Sequence, residues 1–131
     1  MKRIFGSIII ICVLCVVVFP QQKRTVRDPC KDPMSQVEFN FCARRKYEQA
    51  DAGMNKVYKQ LMLGLAGYKS DNQQKLQEAQ TLWLKYRDAN CASEASVYEG
   101  GTIRPTVYYS CLASVTQERT KRLKAFLVEI R

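Results

Sequence analysis

The chain has 131 residues, with 21 Lys and Arg against 12 Asp and Glu for a formal charge of +9, and no histidine. That length serves one domain. The missing histidine excludes Ser-His-Asp and Cys-His catalysis and removes the commonest metal ligand. Carboxylate pairs such as Asp51 with Asp88 are no more than any domain contains, so we expect no enzyme activity, no cofactor and no metal.

Met1-Lys2-Arg3 precedes an apolar run from Ile4 to Phe19. A basic start followed by such a run is the pattern of an export signal. As a helix its 16 residues span about 24 Å, short of the roughly 30 Å hydrocarbon core. We therefore read residues 1–20 as a signal peptide, which places the rest in the periplasm or outside the cell. Pro20 stands where a small residue would precede cleavage, so the other reading is an uncleaved N-terminal segment that anchors the chain to the membrane. Cys12 and Cys15 serve this run as apolar residues. Loss of Lys2 and Arg3 lowers the charge from +9 to +7. A basic body suits anionic envelope components such as lipid headgroups, glycans or acidic proteins. Nucleic acid is not expected as a partner, because no aromatics interleave with the basic runs.

Residues 21–29 are polar and aperiodic, a linker ahead of a domain at 30–131. Asp32-Pro33 and Ser35-Gln36-Val37-Glu38 are helix-start signals, the second with capping-box spacing. Val37, Phe41, Tyr47, Met54, Val57, Tyr58, Leu61 and Leu65 then recur at helical steps, and Gly67 suits a stop. This predicts a first helix over 35–66, in which Gly53 and Gly64 mark close helix contacts. Ser70-Asp71-Asn72 caps a second helix, with Leu76, Ala79, Trp83, Tyr86 and Asn90 on one face and an end near Cys91. Ala92 to Arg104, with Gly100-Gly101, reads as a loop. Pro105 opens a third helix carrying Tyr109, Leu112, Val115, Arg119, Leu123, Phe126 and Ile130. With no strand-like alternation, the fold class is all-α, a three-helix antiparallel bundle.

Beyond the apolar start lie four cysteines, Cys30, Cys42, Cys91 and Cys111, an even set suited to two disulfides in an oxidising compartment. Their spacing is not that of a zinc site. Of the three possible pairings, that between sequence neighbours staples each preceding segment to its helix. We expect Cys30–Cys42 and Cys91–Cys111, the second framing the loop.

Asp51, Arg87 and Asp88 fall among or beside the apolar positions of the first two helices and read as a structural polar set, an interhelical ion pair or cap. Trp83 reads as core. Tyr98, Glu99, Gly100 and Gly101 form the candidate partner-binding tip, since two glycines permit unusual backbone angles beside a tyrosine and a carboxylate; a tight structural turn is the other reading.

From Cys30 to about Leu123 the chain resembles the LprI-type lysozyme-inhibitor domain of bacterial envelope proteins. The resemblance rests on Met34, Cys42, Tyr47, Ala50-Asp51, Asn55, Tyr58 and Leu61. It continues through Ala79-Gln80, Trp83, Tyr86-Arg87-Asp88-Ala89, Cys91, Tyr98, Gly100-Gly101, Pro105, Cys111, Thr116 and Arg119. Its most specific stretch is W-x-x-Y-R-D-A-x-C. The resemblance implies a helical, disulfide-bonded envelope domain that protects peptidoglycan by blocking the cleft of lysozyme or a related muramidase. The alternative is a basic envelope-binding or adaptor module with no enzyme target.

Overall fold

The structure is a computed structural model that describes residues 27–69 and 71–130. The signal or anchor at residues 1–20, the first part of the linker and the capping residue Ser70 lie outside the described residues.

Three helices account for the body: α1 (Gln36–Leu65), α2 (Asp71–Ser96) and α3 (Arg104–Glu129). Ser35 caps α1, its Oγ accepting the Glu38 N–H at 3.2 Å. The Glu38 carboxylate reaches back to accept the Met34 N–H at 2.7 Å and pairs with Arg27. Arg27 and Asp28 fall within the expected linker, yet both are tied to α1, the former through Glu38 and the latter through Arg45 at 3.3 Å. At the far end Gln73 Nε2 donates to the Met62 carbonyl at 2.7 Å, satisfying one of the acceptors that a helix end leaves open.

Consecutive helices are antiparallel, so α1 and α3 run parallel, and these two form the closest pair. Gln36 Nε2 donates to Thr106 Oγ1 at 2.9 Å near their starts, and the Tyr68 hydroxyl donates to the Ile130 carbonyl at 2.9 Å near their ends. Between these ties, Met54, Val57, Leu61 and Leu65 of α1 pack with Leu76 of α2 and Leu123 and Leu127 of α3. Each such side chain stabilises the fold by roughly 1.5–3 kcal/mol. A smaller cluster of Cys91, Cys111 and Leu112 sits against Tyr47, Tyr108 and Tyr109. Both expected disulfides form, Cys30–Cys42 and Cys91–Cys111, with Cα atoms 5.4 and 5.5 Å apart. The first fastens the entering chain to α1, and the second joins α2 to α3.

Four expectations need correction. Helix α2 does not end near Cys91 but runs on to Ser96, because Ala92-Ser93-Glu94-Ala95 contains no breaker and Ala95 packs fully buried. The loop contracts to residues 97–103. The inward face of α2 is Leu76, Gln80, Arg87, Cys91 and Ala95, while Ala79 and Tyr86 face outward, since two inward positions are polar and hide the apolar period. Val37 and Phe41 are exposed; at their level the inward side of α1 belongs to Gln36, Asn40 and Ala43. Of the two glycines expected at close contacts, only Gly64 is at one, where an added Cβ would come within 2.9 Å of Ile130 Cδ1, whereas Gly53 has nothing within 4 Å. Among the described residues no helix is long and apolar enough to cross a membrane.

Candidate functional site

Arg87 stands at the middle of the bundle with its side chain 6 % exposed. Its guanidinium lies 3.2 Å from Asp51 of α1 and 2.8 Å from its neighbour Asp88, with Thr116 of α3 at 3.5 Å. The Tyr47 and Trp83 rings cover it, their centroids 5.4 and 5.3 Å from the guanidinium carbon. One side chain thereby ties three helices, using the planar fork and stacking surface that distinguish arginine from lysine. Burial opposes the charge on Arg87, but Asp88 and Asp51 outweigh it and its pKa is raised, so the ion persists. Burial, with the nearby carboxylates adding to it, pushes the Tyr47 phenol above its ordinary value, while Arg87 works the other way.

A second polar contact lies two turns earlier on α2. Arg119 Nε donates to Gln80 Oε1 at 3.0 Å, and its guanidinium lies 5.6 Å from the Trp83 ring centre. Trp83 is thus held between Arg87 and Arg119 and packs at the margin of the core. Sequence periodicity missed Gln80 and Thr116 as interior positions because they are polar; both stand among the residues that carry the family resemblance. That resemblance's most specific stretch is largely a packing device, since Trp83, Arg87 and Cys91 recur every four residues on one inward face.

The sequence-predicted tip lies apart from the arginine, at the end of the bundle. The loop from Val97 to Ile103 is a succession of turns: the Gly101 N–H donates to the Tyr98 carbonyl at 2.9 Å and the Arg104 N–H to the Gly101 carbonyl at 3.2 Å. Gly100 has φ +75°, a left-handed angle that glycine adopts without steric cost. Asn40 Nδ2 donates to the Thr102 carbonyl at 3.1 Å, which fixes the loop to the first turns of α1. Val97, Tyr98 and Ile103 are exposed. Arg104 Nε lies 2.8 Å from Glu99 Oε2, but its N–H is not aimed at the carboxylate and stays without a hydrogen bond. Glu99 is thus paired with Arg104, while its side chain remains 74 % exposed to solvent.

Among the described residues no group of three or more Cys, Asp or Glu is placed to hold a metal ion.

An uncharacterized protein of Rhizobium meliloti (strain 1021), R02472, is 29% identical over 119 residues, covering 82% of this chain and 85% of the other. No solved structure matches. Residues 28–123 match the family described as lysozyme inhibitor LprI, a span that takes in both disulfides, the Arg87 cluster and the loop. The chain belongs to the LprI family of lysozyme inhibitors.

Proposed function

We propose that this protein is an exported envelope inhibitor of lysozyme or a related muramidase, acting without catalysis by inserting the Val97–Ile103 loop into the muramidase cleft. The family match over residues 28–123 carries this reading. The loop supports it as the contact element because it exposes Val97, Tyr98 and Ile103 together with the solvent-facing Glu99. The loop is also braced by its own turns and by Asn40. A loop ordered before binding loses less conformational entropy on docking. Tyr98 supplies apolar area with a polar end, and Glu99 supplies a charge complementary to a basic lysozyme. Export fits the two disulfides and the apolar run at residues 4–19.

The test is inhibition of a panel of lysozymes by the oxidised protein. Glu99→Lys should abolish inhibition and leave the thermal unfolding midpoint unchanged. Full inhibition by that variant rejects the loop as the contact element. Wild-type protein that inhibits no lysozyme class rejects the function.

A further inference from the structure

A different surface carries an inference that does not depend on lysozyme. Two cavities, of about 580 Å³ and about 410 Å³, lie along the seam between α2 and α3 and share Arg119 and Arg122 in their linings. The larger has an apolar floor that includes Leu76, Leu123, Phe126 and Ile130. In the smaller, Trp83 and Val115 continue it beyond the arginines. Arg119 and Arg122 are one turn apart on α3. Among the described residues neither lies within salt-bridge distance of a carboxylate, unlike Lys121 beside them, which takes Glu118 at 3.0 Å. Glu118 also lines the smaller cavity and is engaged by that lysine. Burial, with Arg122 beside it, lowers the Arg119 pKa, the direction expected of a cation lacking its counter-ion.

We infer that this seam binds a single-chain anionic amphiphile, its carboxylate or phosphate head held by Arg119 and Arg122 and its alkyl tail laid over Leu123 and Phe126 toward Ile130. Arginine forks match the two oxygens of such a head. From Arg122 to Ile130 the helix advances about 12 Å, the scale of a medium alkyl tail. The cavity volume falls in the range of small-molecule sites. An acidic peptide would satisfy the arginines and could reach Asn72 and Lys75, but the lining is mainly apolar, with Leu65, Leu76, Leu123, Phe126 and Ile130, which favours a tail.

The chain's single tryptophan lines this seam beside Arg119 and reports occupancy. The experiment titrates the purified, oxidised protein with dodecanoate below its micelle concentration and follows Trp83 fluorescence. Saturable binding is expected, with dodecanol, acetate and phosphate each weaker by about tenfold or more, since each lacks the head or the tail. Arg122→Glu should weaken dodecanoate by at least about tenfold with an unchanged circular dichroism spectrum. In the wild-type protein, amide shifts should fall on Ala79, Arg122 and Phe126. Equal binding of dodecanol, binding of an acidic peptide but not dodecanoate, unaltered binding by Arg122→Glu, or shifts confined to Lys46 and Ser110 on the opposite seam would overturn the assignment.

Discussion

Replacing Arg87 with alanine removes a side chain that meets all three helices. The loss has three parts. Two charged hydrogen bonds to Asp51 and Asp88 disappear, contact with the Tyr47 and Trp83 rings is lost, and a cavity opens where the stem lay. Breaking a buried ion pair costs about 3–5 kcal/mol, chiefly because the abandoned charge stays buried. Here the abandoned groups are carboxylates 32 % and 54 % exposed, so water reaches them and the lower end applies. With the aromatic contacts included, we expect Arg87→Ala to cost roughly 3–4 kcal/mol. Arg87→Lys keeps the charge but loses the fork and stacking, and should cost about 2 kcal/mol. Asp51→Ala leaves the arginine paired with Asp88 and should cost about 1–2 kcal/mol. Urea unfolding of the oxidised protein followed by far-ultraviolet circular dichroism measures all three, since Trp83 fluorescence would respond to Arg87 directly. An Arg87→Ala cost below about 1 kcal/mol, or an Asp51→Ala cost equal to it, would show that the arginine does not organise the bundle.

The remaining predictions concern the staples, a glycine and acid. Replacing either disulfide by serines should cost about 3 kcal/mol on loop-closure grounds, for sequence separations of 12 and 20. The Cys91–Cys111 bridge should outlast Cys30–Cys42 under dithiothreitol, since its sulfurs lie in the buried cluster; thiol alkylation with time gives the order. Gly53→Ala should stabilise by about 1 kcal/mol, because Gly53 lies inside α1 with open space around it. At Gly64 the same change should be near neutral, the helix gain being offset by displacement of Ile130; thermal unfolding compares the two. Glu38 is held below its ordinary value of 4.5 by the Met34 N–H and then by Arg27. A carboxyl depressed in the folded state contributes stability above its unfolded value and loses it as pH falls through the folded one. Protection from hydrogen exchange at the first turn of α1, relative to the intrinsic rate at each pH, should therefore fall as pH drops below 4.5, and Glu38→Gln should remove that dependence.

Local and periodic features were legible in the residues before any coordinates. Ser35 and Glu38 announced the start of α1, and the long apolar period from Met54 to Leu65 announced its buried face. Pro105 stands at the head of α3, where a missing N–H costs nothing. The cysteine order gave the disulfide pairing, because bridges between sequence neighbours suit a chain of hairpinned helices. What defeated pattern reading was the middle of α2. A helix whose inward side includes Gln80 and Arg87 has almost no amphipathic period, so the apolar face was assigned to Ala79 and Tyr86 on its outside.

By itself, then, the sequence determined three helices, two staples and a family. The tertiary structure alone decided which polar residues are interior, where α2 stops, and that Arg119 and Arg122 share an apolar seam with no carboxylate among the described residues within salt-bridge distance. The physical reason is the same in each case. A buried arginine is tolerable only when partners from other helices satisfy it, and Ala92 to Ala95 stay helical because Ala95 finds a packed interior. Those partners are distant in the chain, as Asp51 and Thr116 are from Arg87, and only the folded bundle brings them together.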